Sequence, residues 1–253
     1  MMKLSDDLRA SLLSTAKTYH NQLLEHPDAV QYLEGRGLSP ETVRRFVLGF
    51  VGEPAEPVDE SFTGRISIPY LHSSPIKGWS CSSFKFRLMP DVEERQRAAG
   101  GKVRKYMHRK GLSTKIFNPA ALLKDTDYIC VTEGELDAIS AEQAGLPTIG
   151  IPGATQWEDW YPRLLGGYQA VYMLQDEDKA GEDMSAMWAD PKNGIANVKV
   201  IVMDKDVNHT LVSRGENGLR DLVLGDQALF CLRSRQTYDR SVKGERHWTT
   251  TSV

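Results

Sequence analysis

Cysteine is scarce: Cys81, Cys130 and Cys231 are the three thiols among 253 residues. They lie far apart, are odd in number and form no CxxC. This excludes a disulfide framework and a zinc ribbon built from this sequence, and each is expected to be a reduced, unpaired thiol. No apolar run is long enough to span a bilayer. The opening MMKLSDDLRASLLSTAK carries acids early and has no apolar h-region, so a secretory signal is excluded and the cytoplasm is the expected compartment. Repeats and low-complexity tracts are also missing. What is left, 40% apolar and 26% charged residues, is the composition of an ordinary globular protein of one or two domains.

Charge of one sign is scarce over long stretches. The net charge of −3 averages over them. Between Lys77 and Lys115 the opposition to the bases consists of Asp91, Glu93 and Glu94. Between Asp125 and Asp190 the bases are Arg163 and Lys179 among many acids. Two unlike solvated surfaces would read this way. So would a protein that grips a polyanion with one part and metal ions with another.

The patterning divides the chain. LRASLLSTAKTYHNQLL, HPDAVQYLEGRG and SPETVRRFVLGF read as three helices, the last with Ser39 as N-cap and Pro40 at its first position. The Pro-rich VGEPAEPVDESFTG marks a boundary. RISIPYL and WSCSSFKFRL alternate as a hairpin, and EERQRAAGGKVRKY reads as an exposed basic loop. From about Leu122, YICVT, PTIGI, AVYMLQ and VKVIVM read as strands. They are separated by helices in LDAISAEQAG, in ATQWEDWYPRLL and after Gly181, and HTLVSRG begins a closing helical part. That alternation implies a parallel sheet. Trp157, Trp160 and Tyr161 could stack on bases, but their helical spacing favours packing against the sheet. The units are a helical N-terminal segment (1–50), a basic mixed subdomain (51–124), an α/β domain (125–225) and a polar basic tail (226–253) carrying Arg233, Arg235, Arg240 and Lys243.

The acids fall at strand ends. Glu133 follows YICVT, Asp176 and Asp178 follow AVYMLQ, and Asp204 and Asp206 follow VKVIVM. The carboxyl edge of an open parallel sheet is where ligands bind, so three distant clusters should converge on one rim. Crowded carboxylates repel, and a cation relieves the repulsion. Oxygen ligands without His or Cys point to Mg²⁺ or Mn²⁺ rather than zinc, an ion suited to phosphoryl or nucleotidyl transfer. A single DxD is more often a helix cap, and a Glu-Gly more often a turn. It is the three clusters in register that carry the inference.

TEGELDAISAEQAGLPTIGIPGA, then MLQDEDKAG, then MDKDVNHTL resembles the TOPRIM domain, whose signature is Glu-Gly after one strand and DxD after a later one. DKAG and GIPGA are similar to its primase branch. AVQYLEGRGLSPETVRRFVLGF resembles the helical start of DnaG-type primase catalytic cores. FTGRISIPY, KGWSCSSFKFRL and RKYMHRKGLSTKIFN resemble their basic, strand-rich subdomain.

The resemblance implies an α/β fold: a Rossmann-like TOPRIM sheet with flanking helices, preceded by a mixed α+β basic subdomain and a short helical N-terminus. It implies RNA primer synthesis on a single-stranded DNA template from ribonucleoside triphosphates, in DNA replication. Glu133, Asp176 and Asp178 become the catalytic acids, and Asp204 and Asp206 join them as metal ligands. Arg65, Lys85, Arg87, Lys102, Arg104, Lys105 and Arg109 become candidates for holding template and nucleotide. Asn208 stands where many primases carry another carboxylate, and His108 where a KY motif usually continues with Asn. The family's zinc-binding and helicase-binding domains are not seen in this sequence. A separate zinc-ribbon subunit and a replicative helicase are therefore the expected partners, as in phage-encoded or split primases, and no membrane is involved. A TOPRIM nuclease and a catalytically weak nucleic-acid-binding replication subunit remain the alternatives.

Overall fold

The computed structural model describes residues 4–100, 103–112, 116–151 and 157–244, with side chains described to Gly225. Helices α1 (Asp6–Leu24), α2 (Pro27–Gly35) and α3 (Pro40–Arg45) come first, as the patterning implies. Ser5 caps α1 by accepting from the Leu8 amide, and Ser39 caps α3 by accepting from that of Thr42. Strands β1 (Gly49–Phe50), β2 (Arg65–Ser74), β3 (Gly78–Leu88) and β4 (Tyr106–His108) form an antiparallel sheet in that order.

Register decides what each face of this sheet carries. Ile66 pairs with Arg87 and Ile68 with Lys85, while Ser67 pairs with Phe86 and Pro69 with Phe84. Alternation therefore puts Phe84 and Phe86 on one face, where they pack with Leu12, Ala16 and Tyr19 of α1. Lys85 and Arg87 share the other face with Ile66, Ile68 and Tyr70. Tyr106 of β4 pairs with Arg87, and His108 with Lys85.

Between β3 and β4 the expected loop is a helix, α4 (Pro90–Ala98). Pro90 starts it, Asp91 and Glu93 occupy its first turn, and Asp91–Arg95 and Glu93–Arg97 pair at i,i+4, each at 2.7 Å. None of its residues is fully buried, and Val92 packs part-buried against the core, so charge pairing and local propensity do much to hold it. An apolar-period search cannot see such a helix.

Strands β5 (Tyr128–Thr132), β6 (Thr148–Gly150), β7 (Ala170–Gln175) and β8 (Val198–Val202) form a parallel sheet in the order β6-β5-β7-β8. Helix α5 (Glu135–Gln143) connects β5 to β6, and α7 (Lys179–Ala189) connects β7 to β8. The chain steps outward in opposite directions from the β5/β7 centre. Right-handed crossovers must therefore place α5 and α7 on opposite faces. The packing agrees: Cys130, Tyr172 and Leu174 join the core containing Leu136 and Ile139 of α5, whereas Ile129, Val131, Val171 and Met173 pack with Met184 and Trp188 of α7. Strands buried on both faces read as continuous apolar runs.

The segment ATQWEDWYPRLL is less helical than expected. Its start lies outside the described residues, and helix α6 spans only Tyr161–Leu165. Trp157, Tyr161 and Trp188 form an aromatic cluster with centroids 5.3–5.6 Å apart, which gives the first two a packing role, while Trp160 is about half exposed. Helix α8 (Val207–Gly244) is interrupted by non-helical backbone at Gly215 and Gly225. The side chains of the basic tail and of Cys231 lie outside the described residues. Cys81 and Cys130 are free and buried, and burial pushes the Cys81 thiol up to about 12. Among the described residues, no helix is long and apolar enough to cross a membrane.

Candidate functional site

The strand order reverses between β5 and β7, so the crevice at their carboxyl ends is the switch point of the sheet. Glu133 leaves β5 there, and Asp176 and Asp178 leave β7. Asp206 arrives from the turn after β8. Burial, followed by the charges of Asp137, Asp206, Glu133 and Asp178, raises the Asp176 carboxyl to about 8. Asp137 is raised to about 6 by burial and by Asp206. These acids therefore share one field.

Asp137 is the residue that sequence reasoning missed. It lies four residues after Glu133, one turn into α5, so a Glu-Gly-x-x-Asp spacing carries its signal. Gly134 makes the arrangement possible, since a Cβ there would meet the Asp137 carboxylate.

Local structure sets each acid. Asp178 caps α7 by accepting the Gly181 amide at 2.8 Å, and Asp206 caps α8 by accepting that of His209 at 2.6 Å. A carboxylate that caps through one oxygen keeps further acceptor capacity for a ligand. Gly181 is required for the close approach of α7, because a Cβ would drive into the Asp176 backbone carbonyl. Lys205, between Asp204 and Asp206, adopts φ 69°, a strained value for a side-chain-bearing residue. Its carbonyl accepts the Glu177 amide at 2.8 Å, tying the two acidic turns together. Asp204 departs from the group. It is exposed and pairs with Arg214 at 2.5 Å, and it is not among the main charges acting on Asp137 and Asp176.

The fit to a hard divalent cation rests on the donor set: oxygen ligands only, on one rim, raised by burial and then by one another's charge. Among the described residues, no three or more His, Cys, Asp or Glu side chains are drawn into a closed ligand group.

The basic candidates separate. Lys85 lies 2.9 Å from Glu135 of α5, which also accepts from Tyr70. The Lys85 ammonium is 5.0 Å from the Tyr106 ring centroid, and the Arg87 guanidinium is 5.1 Å from it. Lys105, exposed beside them, is 5.9 Å from the same ring, and burial together with Arg87 lowers its pKa. This cluster faces the acids closely enough for Asp137 and Glu135 to help raise the Tyr106 hydroxyl, mainly by burial, to about 12.

Arg65 lies elsewhere, buried, donating to the Arg104 carbonyl at 2.9 Å. Arg109 is also buried: Nε donates to Asp59 at 2.6 Å, Nη2 donates to its other oxygen, and Tyr19 donates to the same carboxylate. Its charge is used inside the fold. Arg104 is exposed near a cleft of about 470 Å³ that it lines with Tyr106 and Lys110. Lys102 lies outside the described residues.

Comparison with known proteins follows the same lines. Residues 130–211 match the family described as Toprim-like. Gene 57 protein of Mycobacterium phage D29 is 33% identical over 164 residues, covering 64% of this chain and 99% of that protein. DNA primase of Escherichia coli K12 is 26% identical over 208 residues, covering 70% of this chain and 35% of the primase. The chain thus spans about a third of the length of the curated primases it matches. Among solved structures, the RNA polymerase domain of Mycobacterium tuberculosis primase DnaG superposes with a TM-score of 0.68 at 20% identity, covering 88% of this chain and 84% of that one. At that identity the superposition speaks for the fold, an α/β parallel sheet with flanking helices.

Proposed function

We propose, from the premise that this chain belongs to the Toprim-containing family of DnaG-type primase catalytic cores, that it is a nucleotidyltransferase making RNA primers on single-stranded DNA. The observation that carries this reading is the nearness of carboxylates to a cationic, aromatic cluster: Lys85 lies 2.9 Å from Glu135, and Asp137 and Glu135 act on the Tyr106 hydroxyl. A nuclease needs the rim; template-directed synthesis also needs a surface that holds strand and nucleotide.

In this reading Glu133, Asp137, Asp176, Asp178 and Asp206 would hold Mg²⁺ or Mn²⁺, which would supply charge neutralisation for a primer 3′-hydroxyl and a pyrophosphate leaving group. Lys85, Arg87 and Lys105 take phosphate oxygens of the nucleotide and template, and Tyr106 offers a face on which a base can stack. No protein nucleophile takes part. The work of the chain is alignment, which is worth several kcal/mol of barrier for in-line displacement. Arg104 and Lys102 extend the phosphate-binding surface. Arg65 acts through the backbone it holds. A zinc-ribbon partner would fix the template during initiation, and a replicative helicase would deliver it.

The test is template-dependent incorporation of ribonucleotides by the purified chain in Mg²⁺, alone and with a zinc-ribbon primase subunit. Incorporation abolished by EDTA and by Asp176→Ala supports the reading. Hydrolysis of single-stranded DNA without incorporation would replace it with a nuclease.

A further inference from the structure

Asn208 occupies a position where the family pattern expects an acid, and its surroundings give the carboxamide a different task. It is 5% exposed and fully engaged. Its Oδ1 accepts from Arg36 Nη1 at 2.9 Å, and its Nδ2 donates to the Arg36 carbonyl and to Ser140 Oγ, both at 2.8 Å. The Asn208 amide donates to Asp137 Oδ1 at 3.1 Å. A guanidinium on one side and a carbonyl on the other admit one orientation of the amide group. An aspartate would keep the first contact and turn an oxygen against the Arg36 carbonyl.

The path continues through α2. Arg36 Nε donates to the Tyr32 hydroxyl oxygen at 2.6 Å, and Arg87 Nε donates to the same oxygen at 2.6 Å. Both guanidiniums sit near the Tyr32 ring, at 5.3 and 5.9 Å from its centroid. Arg87, Tyr32, Arg36, Asn208 and Asp137 are therefore linked without a break, from the basic face to the acidic rim. Arg87 Nη1 is buried and has no hydrogen-bond partner. An unsatisfied charged donor is costly, and an incoming anion would satisfy it.

We propose that Asn208 and Tyr32 are positioning residues. They fix the spacing between the arginines and the carboxylates so that a nucleoside triphosphate meets both at once, and Asn208 does not ligate the metal. The inference rests on the nucleotidyl-transfer reading above. Asn208 locks Arg36 against the backbone of the acidic turn, and Tyr32 passes that constraint to Arg87. Neither touches the substrate.

The experiment uses the full chain as wild type, Asn208→Ala, Asn208→Asp and Tyr32→Phe. For each, Mn²⁺ bound per chain is counted by electron paramagnetic resonance, kcat and nucleotide KM are measured for templated incorporation, and the unfolding midpoint is recorded. Asn208→Ala and Tyr32→Phe should raise nucleotide KM by roughly tenfold, the scale of a lost charged hydrogen bond. Mn²⁺ stoichiometry should stay unchanged and kcat within about threefold. Asn208→Asp keeps the Arg36 contact, so its KM should fall between wild type and Asn208→Ala.

A merely structural role predicts something else: a lower midpoint and a reduced kcat at constant KM. That pattern would overturn the proposal, as would an additional Mn²⁺ bound by Asn208→Asp, since it would put the side chain on the metal rim. If Asn208→Ala does not fold, Tyr32→Phe, which removes one oxygen and keeps the ring, decides alone. A wild-type chain that binds neither Mn²⁺ nor nucleotide would fail at an earlier point, bringing down the functional reading itself along with what rests on it.

Discussion

At the residue scale, Asp176 separates catalysis from stability. Its folded carboxyl is raised to about 8, by burial first and by neighbouring acids second. The folded state thus binds a proton that the unfolded state releases near pH 4. Stability is full below that value and drains away as pH climbs towards 8. Asp176→Asn should therefore abolish incorporation yet raise the metal-free unfolding free energy at pH 8 by about 1–2 kcal/mol. Below about pH 4 the difference should almost vanish, because the wild-type carboxyl is then protonated in the unfolded state as well as in the folded one. Thermal melts in EDTA at the two pH values check this, and equal midpoint differences at both would refute it. Lys105 and Arg109 form a second contrast, between charges that look alike in sequence. Lys105→Ala should leave the fold intact and flatten the salt dependence of single-stranded DNA binding by roughly 0.7 in log–log slope. Arg109→Ala strips the buried Asp59 of its counter-charge and should cost about 3–5 kcal/mol of stability. Denaturant titrations beside filter binding at several salt concentrations distinguish the two. Sequence reasoning grouped these residues because charge runs along the chain, whereas burial is set by register. Asp137 escaped it for the opposite reason, as an ordinary acid on a helix whose meaning depends on the turn that Gly134 makes.

At the element scale, legibility followed the source of each element's stability. The strands of the parallel sheet and the helices α1 to α3 bury regular faces, so their periodicity was readable, as was the convergence of strand ends. Helix α4 has no fully buried residue and a single partly buried apolar one, Val92, so no apolar period marks it. Asp204 follows its strand as regularly as the other acids do, but the strained turn at Lys205 sends it outward to Arg214. The start of α7 supplies a test of how closely an element must approach to place an acid. Gly181→Ala puts a methyl against the Asp176 carbonyl, so the helix must retreat or the DxD turn must shift. A loss of about 1–3 kcal/mol is expected, as for other overpacked sites, together with weaker Mg²⁺ activation. Ala introduced at Gly167, where a Cβ would meet open space, is the control and should change stability by no more than about 0.5 kcal/mol. If both substitutions behave like the control in urea unfolding and in the Mg²⁺ titration, the close approach of α7 does not set the acid.

At the scale of the whole molecule, one core is shared by elements far apart in sequence. One core cluster takes Leu33 and Phe46 from the N-terminal helices, Ile66 and Tyr70 from the antiparallel sheet, and Leu136, Ala141 and Leu211 from the helices of the parallel sheet. Phe117 and Gly150 exchange backbone hydrogen bonds at 2.8 and 3.1 Å, adding a bridge beside β6. The Glu142 carboxylate is fully buried on α5, and its cations come from outside that unit: Arg45 of α3, and Lys124 at 2.7 Å. It also accepts the Thr148 amide at 3.0 Å. A fragment cut at 125 would keep the carboxylate and lose both cations, a defect on the scale of about 3–5 kcal/mol. It would also expose the apolar side of α5 and α8 to water. Against a total stability of about 5–15 kcal/mol for a native domain, these losses are decisive. We therefore expect the full chain to unfold in one transition. A fluorescence probe in the antiparallel half, with Trp79 as the sole tryptophan, should give the same midpoint and slope as one in the parallel half that retains Trp188. Residues 125–225 expressed alone should show no cooperative thermal transition. If that fragment melts cooperatively, or the two probes report separate midpoints, the metal rim sits on an autonomous domain. The ion pairs at Glu142 and Glu135 would then be docking contacts between separate bodies rather than parts of one core.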